Sequence, residues 1–274
     1  SVNDYDDKYY FGNFILNGNK HNMIKYIDNN VNISIINLDN RKGRYISTIQ
    51  EVKKLNIKNI NRFSAIKPSI NDIINSKIID LKKLWQFTSL EDDLNRKYVI
   101  GASGCKFSHY QLLKNINDNN NKKYHLILED DCLFRNNIVE SLYSCIKFFE
   151  SNNINFNMLY LGSNIKTKND FKFYNDKMIK CNKGGCFSTH AILHNVKNIS
   201  NTIKIIENSK AEIDVTFLEV DNRFVINPMV AIQRDDVSDI SKYKEFHVGG
   251  KMWKKGEDGK IFYGDMDKIK FLNK

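Results

Sequence analysis

Proline is nearly missing from this chain, 2 residues in 274, and glycine contributes only 13. That scarcity excludes collagen-like repeats and designs organised around proline- or glycine-rich linkers. No apolar run approaches the roughly 18 residues that a bilayer-crossing helix needs, and no signal-peptide pattern stands at the start. For the stretch as given the expectation is no transmembrane segment and a location that is cytoplasmic or unknown, and the opening Ser1 leaves room for a segment ahead of it. Cysteine is sparse and odd in number: Cys105, Cys132, Cys145, Cys181 and Cys186, with no CxxC and no zinc spacing. A chain of this size does not need staples, so reduced thiols are expected; Cys181 and Cys186 can pair, on a spacing that is unspecific. An arginine-rich block is absent too. The excess of 42 Lys and Arg over 32 Asp and Glu, a formal +10 with a pI near 9.2, favours anionic partners. Nucleotide phosphates, membrane surfaces and, less favoured, nucleic acid make up that group, and a lysine-biased composition accounts for a basic surface by itself.

What is present suits a globular fold. Hydrophobic residues make up 41% and aromatic residues 12% of the chain, enough for one large domain or two small ones. Residues 1–30 are polar and aromatic without a period and read as an N-terminal arm or a short preceding element. β-Branched apolar runs predict strands at 33–38 (ISIINL), 60–66, 124–129, 157–162 and 187–193 (FSTHAIL), with short ones at 224–226 and 229–233. Helices are expected at 43–55, 102–117, 136–151, from 196 to beyond 206, and 212–219. Segment 69–84 reads as loop and short helix, 91–97 as a polar acidic stretch, 117–123 as a surface loop and 171–181 as a hairpin. Cys105, His109, Leu112 and Ile116 stripe one face of the second helix. Strands alternating with helices over the first 160 residues imply an α/β fold with a mainly parallel sheet and helices on both faces.

Within that frame one stretch carries chemistry, LILEDDCLF at 126–134. An apolar strand ends on Glu129, Asp130 and Asp131, adjacent carboxylates that repel unless a positive charge sits among them. Open α/β sheets place ligands at strand carboxyl ends, and hard oxygens there suit Mg²⁺ or Mn²⁺. A strand-end Asp that caps the next helix explains the pattern about as well. The acids of DYDD (4–7) and EDD (91–93) follow no apolar strand and read as solvated surface.

The ordered series VNISIINLDNRKGR, GASGCKFSHYQLLKNI, YHLILEDDCLF, MLYLG, STHAIL and NPMVAIQRDDVSDIS resembles glycosyltransferase family 25, which includes lipooligosaccharide and collagen galactosyltransferases. The resemblance spans about residues 31–241. It implies a GT-A fold, a UDP-linked sugar donor and a divalent metal, Mn²⁺ or Mg²⁺, on a DxD-like motif. Glu129, Asp130 and Asp131 occupy that motif here as EDD, with Asp131 the favoured ligand. Asn37, Leu38, Arg41 and Arg44 match the first motif and are assigned to the nucleotide, where an arginine's planar fork suits phosphate; as helix N-terminal decoration the two arginines would oppose the dipole. Ser108 and His109 match GCxxSH and are expected to shape the donor pocket, although a histidine on an apolar stripe is more often a core residue. Asp214 matches the acid after the fifth motif and is the candidate base; an N-cap role explains it equally, and Glu219 and Asp221 are alternatives. His190 and Asp239 are assigned to the acceptor side or pocket, and His247 to the metal. Trp253, Phe262 and Tyr263 either stack on sugar or cover the core.

The expectation is therefore a catalytic domain at 31–241 with a C-terminal extension at 242–274. It would move galactose or glucose from a UDP-sugar to a hydroxyl on a glycan or protein, with inversion. The competing readings are another metal-dependent enzyme such as a nucleotidyltransferase, and a non-catalytic module binding glycans or nucleic acid.

Overall fold

The structure, a computed structural model, describes residues 20–119, 121–165 and 167–234. Its centre is an eight-stranded sheet. The strands are β1 (Val31–Asn37), β2 (Ile60–Ser64), β3 (Tyr124–Glu129), β5 (Met158–Tyr160), β6 (Phe171–Phe173), β7 (Met178–Cys181), β8 (Ala191–Asn195) and β9 (Arg223–Ile226). Their spatial order is β2-β1-β3-β8-β5-β9-β7-β6. A two-stranded ribbon pairs β4 (Cys132–Phe134) with β10 (Ala231–Gln233).

The parallel prediction holds for β1, β2 and β3 and for β5 with β9. Between these two groups lies β8, antiparallel to both β3 and β5. The sheet is thus mixed. This reversal matters because the start of β8 lies at the same rim as the ends of β1 and β3.

Period-two alternation divides the strands into two apolar faces. Ile33, Ile35, Leu126, Leu128 and Leu193 join Met23, Ile27, Leu142 and Phe149 in one core. The helices supplying these residues are α1 (Lys20–Asn30) and α5 (Ile138–Ser151). Ile36, Ile127, Ile192 and Val225 face the opposite core with Leu113, Ile206 and Phe217, from α4 (Asp93–Asn119), α6 (Ile199–Ser209) and α7 (Ile213–Phe217). Two further helices, α2 (Lys42–Val52) and α3 (Ile70–Ile74), follow β1 and β2.

Several boundaries differ from the sequence reading. Residues 20–30 form α1, whose Met23 and Ile27 are buried, so this part of the expected arm belongs to the fold. Helix α4 begins at Asp93 and runs 27 residues. The acidic stretch 91–97 supplies its start, with Asp92 accepting from the backbone amides of Leu94 and Asn95. The same helix continues to Asn119, shortening the expected loop. Strand β8 starts at Ala191, so His190 lies just ahead of a strand and not within one. The five cysteines are free thiols.

Candidate active site

The carboxyl ends of β1 and β3 lie side by side, with Ile36 opposite Glu129. Asn37, the last residue of β1, is buried and donates its amide to Asp130 Oδ2 at 2.6 Å and to the Arg41 carbonyl at 3.0 Å. Arg62 on β2 steadies it from the other side, donating to Asn37 Oδ1 at 3.0 Å. Leu38 lies half-buried in the turn that follows, and Arg41 occupies the N-cap position of α2.

Arg44, in the first turn of α2, supplies positive charge to the acids. Its Nε lies 3.1 Å from Asp130 Oδ1 and its Nη2 3.5 Å from Asp131 Oδ2. Basic charge at a helix N-terminus opposes the dipole, and the two carboxylates account for its placement. Asp130 therefore has one oxygen on Asn37 and the other beside Arg44. Burial raises its pKa, with Arg44 opposing.

Asp131 is less well satisfied. Gln233 on β10 reaches its Oδ2 at 3.4 Å, while the buried Oδ1 has no hydrogen-bond partner among the described residues. Burial, then the neighbouring charge of Glu129, pushes Asp131 up from 3.8 to about 7. A buried carboxylate oxygen of this kind invites a cation.

Glu129 has the opposite environment. One oxygen accepts from the Thr189 hydroxyl at 2.6 Å, lies 3.1 Å from His109 Nε2 and receives the Cys105 thiol at 3.5 Å. Burial works to raise its pKa, but His109 and Thr189 outweigh it and hold the group at about 2. Two acids two residues apart are thus driven in opposite directions, an arrangement characteristic of sites that handle charge. Cys105 Sγ, His109 Nε2 and a Glu129 oxygen also lie within 4.8 Å of one another, a set able to hold a metal ion. Its sulfur and nitrogen suit a softer ion than Mg²⁺ or Mn²⁺.

The GCxxSH motif resolves into three jobs. A Cβ on Gly104 would meet the Ile66 carbonyl at 2.6 Å, so only glycine permits this approach of α4 to the segment after β2. Ser108 fastens the same place, accepting from the Ile66 amide at 2.8 Å and donating to the Gly104 carbonyl at 2.7 Å. His109 reaches Glu129. His190, buried, has Ser188 Oγ 2.6 Å from its Nδ1 and the Ala231 carbonyl 3.4 Å from its Nε2. Its burial lowers its pKa.

Asp214 stands in the first turn of α7, but the N-cap position belongs to Glu212. The capping explanation for Asp214 therefore fails. Its Oδ1 accepts from the next amide, Val215, at 2.9 Å. Burial, then the charge of Glu212, raises Asp214 to about 6, and Glu129 adds to the effect from across the site. The buried Lys106 of α4 holds the start of α7, donating to the Ala211 carbonyl at 2.7 Å and the Thr216 hydroxyl at 3.2 Å. Glu219 and Asp221 are exposed.

The structure thus brings together Asn37, Arg44, Glu129, Asp130, Asp131, His109 and His190 at one rim, with Asp214 within their electrostatic reach. Asp239, His247, Trp253, Phe262 and Tyr263 lie outside the described residues. Sequence reasoning gave no role at the site to Cys105, read as part of an apolar stripe and of GCxxSH, or to Thr189, which stood unremarked in STHAIL beside His190. It also missed Arg62 and Lys106, whose roles depend on pairings distant in sequence.

No helix among the described residues is long and apolar enough to cross a membrane. No curated protein matches the chain. A sequence model described as glycosyltransferase family 25 (LPS biosynthesis protein) matches residues 30–216.

Proposed function

Because the chain belongs to glycosyltransferase family 25, we propose that it transfers a hexose, galactose or glucose, from a UDP-sugar to a hydroxyl of a glycan or protein. Residues 31–241 form the catalytic domain, on a GT-A scaffold. The observation that carries the reading is the buried, partnerless Oδ1 of Asp131 at the sheet rim where nucleotide ligands bind in open α/β folds.

Asp131 and Glu129 would hold Mn²⁺ or Mg²⁺, with His247 a further ligand. That ion supplies charge neutralisation for a diphosphate leaving group. Asp130, engaged by Asn37 and Arg44, orients the cluster and is a weaker candidate for direct ligation. Arg41, at the N-cap of α2, and Leu38 belong to the nucleotide side. Asp214 removes the acceptor proton: the acceptor oxygen bonds to the anomeric carbon, the carbon–diphosphate bond breaks on the opposite face, and UDP departs. A carboxyl with a pKa raised to about 6 is ionised at neutral pH and basic enough for that task. His190 and Asp239 belong to the acceptor side.

The test is nucleotide release from a panel of nucleotide sugars with Mn²⁺, with and without EDTA. Release of UDP from one donor, abolished by EDTA and by Asp131→Ala with the fold retained, supports the proposal. Release unaffected by either removes the metal assignment, and release of pyrophosphate in place of UDP points to nucleotidyl transfer.

A further inference from the structure

Among the large apolar side chains of the described residues, Trp85 is the most exposed, at 73%. The backbone beneath it is unusually well fastened for a surface loop. The Trp85 amide donates to both oxygens of Glu212, at 3.1 and 3.2 Å. The next amide, Gln86, donates to the Tyr98 hydroxyl at 3.1 Å, and that hydroxyl donates to Glu212 Oε1 at 3.2 Å. Thr88 is held the same way, its amide donating to Asn95 Oδ1 at 3.2 Å. Three side chains from α4 and the start of α7 therefore fix a loop whose most prominent feature is an indole facing solvent.

Fastening a loop through a buried carboxylate is costly unless the loop's position matters. Here the carboxylate is Glu212, two residues before Asp214, and Tyr98 lies close enough to Asp214 to feel its charge. Trp85 and the candidate base are consequently mounted on one support. The nucleotide-side residues Asn37, Arg41 and Arg44 stand on β1 and α2, a different part of the rim.

We propose that Trp85 is the acceptor platform: its indole stacks on the C–H-rich face of the acceptor's pyranose ring and delivers a hydroxyl to Asp214. The inference rests on the transferase reading above and adds to it that the acceptor is a sugar. A rigid aromatic face provides large contact area at small entropic cost, and a support shared with Asp214 fixes the distance between the stacked ring and the base.

The chain has 2 tryptophans, Trp85 and Trp253, so Trp253→Phe leaves Trp85 as the only indole reporter. Methyl β-galactoside, methyl β-glucoside and lactose are titrated against its emission, with UDP as a separate arm. A saturable shift with at least one saccharide, and none with UDP, is expected. In transfer assays with the saccharide that binds, Trp85→Ala should raise the acceptor KM about five- to tenfold, the loss of one stacking face. Trp85→Phe should recover part of it, and acceptor-independent UDP release should not change. An emission shift with UDP alone, no shift with any saccharide, or an unchanged acceptor KM in Trp85→Ala overturns the platform. So does a change of oligomeric state in Trp85→Ala by light scattering, which would assign the indole to a protein interface. Because the fluorescence arm needs no turnover, saccharide binding in a protein that releases no UDP would defeat the transferase reading and leave the platform standing.

Discussion

Asp131→Asn should make the metal-free protein more stable at pH 8 while destroying its activity. In the folded chain Asp131 is raised from 3.8 to about 7 by burial and by Glu129. Between about pH 4 and 7 the folded state holds a proton that the unfolded state has released, so stability falls as pH rises through that window and levels off above it. At roughly 1.36 kcal/mol per pH unit the ceiling is about 4 kcal/mol. The Arg44 contact at 3.5 Å and the 18% exposure of the Asp131 side chain argue for a smaller value, about 1–3 kcal/mol. For a chain of this size that is a rise in Tm of about 3–10 °C at pH 8. At pH 4 the carboxyl is protonated in the folded state and roughly half protonated in the unfolded one, so most of the difference disappears and the variant should melt within about 2 °C of the parent. Thermal melts with EDTA at the two pH values make the comparison. Added Mn²⁺ should raise the parent's Tm and not the variant's. If Asp131→Asn destabilises equally at pH 4 and pH 8, the side chain is an ordinary structural acceptor and the argument for a cation at its Oδ1 fails.

Asp214→Asn should retain donor binding but lose about 10²- to 10⁴-fold in transfer, and the parent's transfer rate should climb with pH through about 6 as that carboxyl ionises; a flat profile removes it from the reaction. Gly162→Ala places a Cβ 1.9 Å from the Ala231 carbonyl and 2.8 Å from His190 Nε2, so a loss of about 2–3 kcal/mol in denaturant titration is expected. Lys106 is lowered from 10.5 to about 7 by burial, then by the charge of Lys210. Between those values the unfolded chain holds the extra proton, so the parent should gain stability relative to Lys106→Met as pH rises from about 7 towards 10; a constant difference across that range contradicts a buried, titrating amine.

The strands were the most legible part of the fold. Runs such as ISIINL and YHLIL are apolar at successive positions, so that burial on both faces follows from the letters. Less visible was the start of α4, because Glu91 to Lys97 give no apolar stripe and the helix is held there by Asp92 and by Asn95 meeting the loop just before it. The direction of β8 was not readable either: antiparallel pairing with β3 is a choice made between segments sixty residues apart and leaves no local mark. In the candidate site the acids and Arg44 were both singled out, but their mutual neutralisation was not, since charge pairing across 86 residues has no sequence period. Cys105 shows the opposite limit. Its helical spacing was read correctly as inward-facing, yet inward at that level of α4 means towards Glu129.

The reversed strand β8 also works as a vernier. Side chains along a strand alternate between faces, so sliding β8 by a single position against β3 would carry Thr189 away from Glu129 and exchange the two cores' apolar sets, Leu193 for Ile192. Misalignment therefore cannot stay local or silent: the carboxylate would lose its shortest donor in the same event that turned oily groups to the wrong layer. Alignment of the candidate site is thereby enforced by the whole hydrophobic interior.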